Sequence, residues 1–304
     1  MSVVKIGENL FLIDVETGGF RKLIASYVLR GRKTAIVETG PTSSIPNLLS
    51  GLRELNVELE DVIYVAISHI HIDHGGGVGT LLKYLPKAQV IVHQRGASHL
   101  ANPEKLWLRS KEVLKGVAEI YGAPEPVAED RIIMAMDGMS FDIGDNVGLK
   151  VVETPGHSSH HLSYWEASSR GIFTGDAAGI YLNEFDVIVP TTPPPFCLDV
   201  ALASLDKLSR FKPNFLCYSH FGKASDALVK FKTYVQRLRL WTSLARIGVR
   251  NRESIESISE KIIMNDETIQ IAAGYIKTHP ILKEIAIKNS VQGLVDFVEK
   301  TGSN

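Results

Sequence analysis

The chain has 304 residues, of which 44% are hydrophobic and 22% charged, which is an ordinary composition for a globular protein with a sizeable core. Its formal net charge of −1 provides no overall positive field, so nucleic acid is not expected as a partner. Two cysteines, Cys197 and Cys217, are too few for a disulfide scaffold. The sequence contains no signal-peptide pattern and no apolar stretch of about 18 residues. We therefore expect a cytoplasmic protein without a membrane segment.

Short apolar runs rich in β-branched residues, separated by glycine and charged turns, predict strands in the first third of the chain. The predicted strands cover residues 10–13, 23–29, 34–37, 62–67 and 89–93. Apolar residues at helical spacing predict a helix over residues 45–55. A second helix is expected from Gly75–Gly77 to about Tyr84.

Residues 95–125 lack strand character, and their apolar spacing predicts a helix over 103–121. Strands then resume at 131–136, 147–153, 161–165, 171–174 and 214–218, with a helix near 199–210 before the last strand. From Ser225 onward, apolar residues recur at helical spacing, which predicts about four helices and no strand.

Strands that alternate with helices in two successive batches predict an α/β protein with two sheets and outer helices. We predict a catalytic domain over residues 1–224, with a helical insertion at 95–125. The helices of residues 225–304 would form a C-terminal extension or a cap on this domain.

The central feature of the sequence is His69-x-His71-x-Asp73-His74. These four potential ligands follow a predicted strand within six residues, far more than chance places together in a chain with ten histidines. Imidazole nitrogens and carboxylate oxygens suit zinc and comparable divalent ions. The motif therefore predicts a metal site.

Three further candidate ligands are His157, Asp176 and His220. Each follows an apolar strand and precedes a small residue or a turn. Ligands at strand ends can all reach one edge of a sheet sandwich, where the strands hold them rigidly.

This series of motifs resembles the metallo-β-lactamase superfamily, and within it the hydrolases similar to glyoxalase II and the lactonases. The resemblance covers roughly residues 1–222 and rests on H-x-H-x-D-H, then T-P-G-H, then an aspartate after a T-G step, then a late histidine. It implies a four-layer αβ/βα sandwich. It also implies two metal ions. The ligands of the first would be His69, His71 and His157, and those of the second would be Asp73, His74 and His220. Asp176 would bridge the two ions.

Glu38 departs from the family pattern, which often has aspartate in this apolar-x-Thr-Gly turn. We expect Glu38 to orient a ligand histidine or the bridging aspartate. His160 and His161 follow His157 closely, and we expect them either to have a structural role or to support the ligands, His161 in particular. His279 precedes Pro280, and we expect it on the surface.

The resemblance implies a metal-dependent hydrolase with two divalent cations, most suitably zinc, although iron and manganese also accept these ligands. The cations would lower the pKa of a shared water, and the resulting hydroxide would attack a small ester, thioester or lactone. Asp73 and Asp176 would be catalytic, with Asp73 orienting the nucleophile. Four aromatic residues are candidates for the pocket of a partly apolar small-molecule substrate: Tyr181, Phe185, Phe196 and Phe221. The C-terminal helices could also form a homodimer face.

Three other functions stay open at this point. A mononuclear iron dioxygenase acting on persulfides carries a similar motif, but the long helical extension argues against it. A phosphodiesterase or RNA-processing nuclease is disfavoured by the near-zero net charge. A metal-stabilised scaffold protein is disfavoured because all seven ligands are present.

Overall fold

Two twisted sheets form the centre of the protein, for which a computed structural model describes residues 2–302. The first sheet has seven strands in sequence order, antiparallel from β1 to β4 and parallel from β4 to β7. Its strands are β1 (Val3–Lys5), β2 (Leu10–Asp14), β3 (Ala25–Arg30), β4 (Thr34–Val37), β5 (Val62–Ala66), β6 (Gln89–His93) and β7 (Ile132–Ala135).

The second sheet has six strands in the order β15-β14-β11-β10-β9-β8, and only β11 and β14 in it are parallel. A separate hairpin of β12 and β13 follows β11 in the chain. These strands are β8 (Ser140–Asp142), β9 (Gly148–Glu153), β10 (Leu162–Glu166), β11 (Gly171–Gly175), β12 (Ile180–Leu182), β13 (Val187–Val189), β14 (Phe215–Tyr218) and β15 (Gly222–Ser225).

Ten α-helices surround the sheets in the described part of the chain, and a π-helical segment over Lys283–Lys288 precedes the last of them. The helices are α1 (Ile45–Glu54), α2 (Val78–Leu82), α3 (Gln94–Ala101), α4 (Glu104–Leu114), α5 (Gly116–Tyr121), α6 (Leu198–Ser209), α7 (Ala227–Arg250), α8 (Ile255–Asn265), α9 (Glu267–Thr278) and α10 (Asn289–Thr301). Among residues 2–302, none of these helices is long and apolar enough to cross a membrane.

The alternation of side chains along the strands produces two hydrophobic layers. Tyr27 belongs to the layer between the sheets, where its ring meets Phe173 of the other sheet at 5.2 Å. The next residue, Val28, points to the opposite face and shares a core with Leu48 and Leu52 of α1. Helices therefore cover the outer faces of the sheets, and the predicted α/β sandwich is confirmed.

The helix predicted over residues 103–121 is wrong in one respect, because it is broken into α4 and α5 at Lys115. Lys115 has φ 50° and ψ −125°, values that no helix contains. The C-terminal helices α7–α10 agree with the helical pattern after Ser225, and their core residues join the core of the outer layers. Their division from the catalytic domain after residue 224 stays a prediction.

His279 is buried, so the expectation that it lies on the surface is wrong. Its ring packs against Phe20 at 4.7 Å and Tyr275 at 5.5 Å. Its Nδ1 accepts hydrogen bonds from the backbone N–H groups of Ile281 and Leu282. The turn after α9 is therefore held by this imidazole against the loop between β2 and β3.

Candidate metal centre

The seven predicted ligands converge at one edge of the two sheets. The segment from His69 to His74 follows β5, whereas His157 follows β9, Asp176 follows β11 and His220 follows β14. Because β9, β11 and β14 all run in the same direction, their carboxyl ends meet at this edge. We call these seven residues the metal-ligand cluster.

Three imidazoles form the first position of the cluster, and their ring nitrogens lie within 4.8 Å of one another. His71 Nδ1 is 2.9 Å from His69 Nε2 and 3.1 Å from His157 Nε2. Two nitrogen ligands about 2.05 Å from a tetrahedral zinc ion are ~3.3 Å apart. The two nitrogen pairs that include His71 therefore have nearly the spacing that one such cation requires.

Asp73, His74 and His220 form the second position. His220 Nε2 lies 3.3 Å from His74 Nε2 and 3.6 Å from Asp73 Oδ2. This set combines two imidazoles with one carboxylate, which again suits a divalent cation.

Asp176 lies between the two positions and directs one carboxylate oxygen to each. Its Oδ2 is 3.5 Å from His157 Nε2, whereas its Oδ1 is 3.4 Å from His74 Nε2 and 3.9 Å from His220 Nε2. Oδ1 is buried and has no hydrogen-bond partner among the described residues. A buried carboxylate oxygen is costly without a partner, and a bound cation would supply one.

A family model places this site among known proteins. The model for the metallo-beta-lactamase superfamily matches residues 21–220. The chain belongs to the metallo-beta-lactamase superfamily. Members of this superfamily are metallo-hydrolases, and the histidine and aspartate groups of the chain can hold metal ions.

One relative in the superfamily is the metallo-beta-lactamase fold-containing protein ST1585 of Sulfurisphaera tokodaii. It is 30% identical over 216 residues, which are 69% of this chain and 77% of ST1585. The crystal structure of ST1585 superposes with a TM-score of 0.72, at 25% identity, and covers 96% of this chain and 100% of that one.

Two further relatives carry names that refer to an activity. The probable metallo-hydrolase YybB of Bacillus subtilis is 24% identical over 177 residues, 58% of this chain and 71% of YybB. The atrochrysone carboxyl ACP thioesterase of Aspergillus chevalieri is 24% identical over 147 residues. That match covers 48% of this chain and only 37% of the thioesterase.

Backbone carbonyls orient two ligand histidines of this superfamily member from behind. His157 Nδ1 donates to the Thr191 carbonyl at 3.1 Å, and His220 Nδ1 donates to the Leu23 carbonyl at 2.9 Å. With Nδ1 engaged, the Nε2 atom of each ring faces the cluster with its lone pair free.

Glu38 is buried and contacts the cluster. Its backbone is in the left-handed region, with a φ of 66°. Its Oε2 is 3.3 Å from His74 Nδ1, and its Oε1 accepts a 3.1 Å hydrogen bond from the Ser68 N–H. The Ser68 hydroxyl in turn lies 2.9 Å from His69 Nδ1. These contacts are the ones that a ligand-orienting role needs, and that role stays a prediction.

His161 supports the aspartate between the two positions. Its Nε2 accepts a 3.0 Å hydrogen bond from the Asp176 N–H, and its Nδ1 is 2.8 Å from Thr154 Oγ1. His160 lies closer to the surface and stacks on the His69 ring at 6.2 Å.

The surroundings shift the pKa values of the histidines in opposite directions at the two positions. Burial lowers the pKa of His71 to about 3, and the neighbouring His157 contributes to this shift. Burial alone would also lower the pKa of His74, but the carboxylates of Asp176, Glu38 and Asp73 outweigh it and raise that pKa well above its usual value. The pKa of His220 is likewise raised, because contacts with Asp73 and Asp176 overcome its burial.

The four aromatic residues predicted for the substrate pocket make packing contacts. The Tyr181 hydroxyl donates to Asp186 at 2.7 Å, Phe185 packs on Tyr275 at 5.4 Å, and Phe196 packs on Phe297 at 6.2 Å. Phe221 is buried in the layer between the sheets. Their contribution to a substrate pocket stays a prediction.

Sequence analysis missed several groups that the fold brings to the cluster. The carbonyls of Leu23 and Thr191 carry no side-chain signal, and only the fold places them there. Tyr121, at the end of α5, was included only as the end of a predicted helix, yet the carboxylates of Asp73 and Asp176 influence its hydroxyl.

Proposed function

We propose that the chain is a hydrolase of small esters, thioesters or lactones that uses two divalent cations, preferably zinc. The observation that carries this proposal is the Asp176 carboxylate, whose two oxygens face different sets of histidines. One carboxylate between two ligand sets is the arrangement expected of a two-metal site. The donor set of five imidazoles and two carboxylates favours zinc, and iron or manganese would also fit.

When bound, the two cations would lower the pKa of an attacking water and polarise the acyl oxygen of the substrate. The residues of the chain hold the reacting groups. Asp73 is the most suitable group to orient the water, because its side chain is 16% exposed, whereas those of His74 and His220 are essentially buried. Despite burial, His74 and His220 hold the pKa of the Asp73 carboxyl below its usual range. The carboxylate would therefore accept a hydrogen bond from that water.

Acyl substrates are favoured over phosphodiesters by two observations. The net charge of −1 provides no general attraction for a polyanion. One relative is named as a thioesterase, which is an acyl hydrolase.

The test is hydrolysis by protein that has been stripped with a chelator and reloaded separately with zinc, manganese or iron. The substrates are a simple S-acyl thioester, a γ-lactone, a phenyl ester and bis(p-nitrophenyl) phosphate. His157→Ala removes a proposed ligand, and His99→Ala is the matched control, since His99 lies on α3 and belongs to none of the ligand groups.

We expect the zinc-loaded chain to hydrolyse at least one acyl substrate, His157→Ala to lose that activity, and His99→Ala to retain it. Hydrolysis of the phosphodiester alone would contradict the proposed substrate class. Oxygen uptake with a persulfide by a protein holding one iron ion would contradict the hydrolase itself.

A further inference from the structure

The hydroxyl of Tyr121 is buried and has no hydrogen-bond partner among the described residues. Two other buried tyrosines are satisfied, since Tyr27 donates to the Tyr218 carbonyl at 2.5 Å and Tyr164 donates to the Ile67 carbonyl at 2.7 Å. Since buried hydroxyls nearly always have a partner, an unpaired one calls for an explanation.

The backbone around Tyr121 is fixed against the segment that carries the metal-ligand motif. Thr42 Oγ1 lies within hydrogen-bond distance of two carbonyls, that of Ala123 at 2.9 Å and that of Gly76 at 3.0 Å. A Cβ on Gly79 would collide with the Glu125 carbonyl, so these two backbones are in direct contact. Residues 123–125, which follow Tyr121 in the chain, therefore rest on the turn after His74 and on the start of α2.

The opposite side of α5 is also fixed. A Cβ on Gly18 would lie 2.5 Å from Ile120 Cγ2, so α5 packs closely on the loop between β2 and β3. Tyr121 is fully buried and belongs to the core that the helices share with the sheets.

The charged groups that influence Tyr121 agree with this placement of its backbone beside the turn after His74. Burial raises the pKa of Tyr121 well above its usual value, and the carboxylates of Asp73 and Asp176 raise it further. Both belong to the metal-ligand cluster. The phenol therefore retains its proton and has that proton available for a hydrogen bond.

Solvent reaches the cluster at two of its residues. The Asp73 side chain is 16% exposed and His71 is partly exposed, whereas the other five ligands are buried. A substrate that comes from solvent therefore meets Asp73 or His71 first, and Asp73 is one of the two carboxylates that influence the Tyr121 hydroxyl.

We propose that the Tyr121 hydroxyl donates a hydrogen bond to the substrate oxygen on which negative charge develops during hydrolysis. This inference rests on the proposed function. Hydroxide forms a bond to the carbonyl carbon, and the C=O π electrons move to the carbonyl oxygen, where the phenol donates. When the intermediate collapses, the C–S or C–O bond breaks and its electron pair leaves with the thiolate or alkoxide. Tyr121 keeps its proton throughout, so it stabilises charge and transfers nothing.

Tyr218 provides a matched control for Tyr121. Its hydroxyl is also buried and also has no hydrogen-bond partner among residues 2–302. Burial is again the main cause of its raised pKa, and the groups that follow are Tyr234, Tyr181, Asp186 and Arg237, none of which belongs to the metal-ligand cluster. Tyr121→Phe and Tyr218→Phe thus each remove one buried, unpaired oxygen, but the influence of Asp73 and Asp176 is shown for the Tyr121 oxygen.

The kinetic test compares both variants, loaded with zinc, on the best acyl substrate. We expect Tyr121→Phe to lower kcat about a hundredfold, as the loss of one oxyanion donor does, with KM changed much less. Metal content should be unchanged and Tm equal or higher, because an unpaired hydroxyl is removed. Tyr218→Phe should keep kcat within about twofold of the parent.

A binding test needs no turnover and so separates this inference from the proposed function. Methylphosphonate offers anionic oxygens to the phenol, whereas propanethiol binds metal ions without an oxygen. Tyr121→Phe should weaken methylphosphonate binding about tenfold and leave propanethiol binding unchanged. This result would support the Tyr121 site even if no acyl substrate is hydrolysed.

Two results would overturn the inference while leaving the hydrolase proposal intact. In the first, Tyr121→Phe hydrolyses acyl substrates at the parent rate and binds methylphosphonate as tightly as the parent does. In the second, Tyr121→Phe and Tyr218→Phe lose activity equally, which would show that both hydroxyls act only through the packing of the core.

Discussion

Glu38 is the single side chain that we expect to orient a histidine of the metal-ligand cluster. One of its oxygens faces His74 Nδ1 at 3.3 Å, and the other accepts from the Ser68 N–H at 3.1 Å. The Nδ1–H group of His74 and the N–H group of Ser68 each need a hydrogen-bond acceptor, and a carboxylate has two acceptor oxygens. A glutamine at this position would offer only one acceptor oxygen and would turn an NH₂ group toward one of the donors.

Glu38→Gln is therefore expected to weaken metal binding at the second position by about 10- to 100-fold, the usual effect of losing a ligand-orienting partner. The measurement is competition for zinc with a chromophoric chelator. Glu54→Gln, on the exposed end of α1, is the control and should bind zinc like the parent. Unchanged affinity in Glu38→Gln would show that His74 does not depend on this carboxylate.

The contrast in histidine pKa between the two positions predicts an order of metal loss on acidification. A histidine must be unprotonated to bind a metal ion. His71, with a pKa of about 3, stays neutral at mildly acidic pH, whereas the raised pKa values of His74 and His220 let protons compete there as pH falls. Between about pH 7.5 and 5.5, the second position should therefore lose its metal ion first.

Two variants, each of which keeps only one of the two metal positions, can test this order. His220→Ala keeps the first position, and His71→Ala keeps the second. Equilibrium dialysis over a pH series should show that His220→Ala retains its metal ion to lower pH than His71→Ala does. The reverse order would mean that the carboxylates around His74 do not govern its protonation.

At the scale of single elements, the break between α4 and α5 determines where Tyr121 lies. Lys115 adopts φ 50° and ψ −125°, a region that is populated almost only by glycine. The apolar spacing of Leu106, Leu114, Val117 and Ile120 continues across this position, which is why one helix was predicted. Apolar spacing reports which side chains face the core and contains no direct information on a backbone break.

Lys115→Gly should stabilise the protein by about 1 kcal/mol, because it relieves this conformation at an exposed site. Lys111→Gly, within α4, is the control and should destabilise by about 1 kcal/mol, because glycine is a poor helix former. Thermal unfolding measures both. A loss of stability in Lys115→Gly as large as that in Lys111→Gly would indicate that α4 and α5 form one continuous helix.

The strands that carry the ligands were predictable because they are continuous apolar runs followed by polar motifs. The predicted strand at 89–93 agrees with β6, and those at 171–174 and 214–218 agree with β11 and β14 within one residue at each end. The hairpin of β12 and β13 was missed, since each strand has only three residues, which is too short for a strand pattern to stand out.

At the scale of the whole molecule, the C-terminal helices are connected to the metal-ligand cluster through one loop. Ser290 of α10 donates to the Pro190 carbonyl at 2.9 Å, and its own carbonyl accepts from the Thr192 hydroxyl at 2.8 Å. Between these residues, the Thr191 carbonyl orients His157. Ser290 and Pro190 are 100 residues apart in the sequence, so no local pattern could predict their contact.

Gly293→Ala tests this connection. A Cβ at Gly293 would collide with the Thr192 carbonyl and press on Pro193, both of them backbone atoms of the loop. We expect a lower Tm and a 10- to 100-fold loss of zinc affinity at the first position, since the loop that orients His157 must move. Zinc competition and thermal unfolding measure the two effects.

Gly274→Ala is the matched control, because a Cβ at Gly274 in α9 would meet nothing within 4 Å. It should raise stability by about 1 kcal/mol and leave zinc affinity unchanged. If Gly293→Ala lowers Tm but binds zinc like the parent, the C-terminal helices stabilise the fold without influencing the metal site.

The metal content of protein purified without chelator tests the central claim most directly. Native mass spectrometry, with plasma mass spectrometry to identify the element, should find two divalent cations per chain in the parent. It should find one in His71→Ala and one in His220→Ala, since each variant loses a single position. A parent chain that holds one cation, or none after incubation with zinc, would contradict a two-metal centre organised around Asp176.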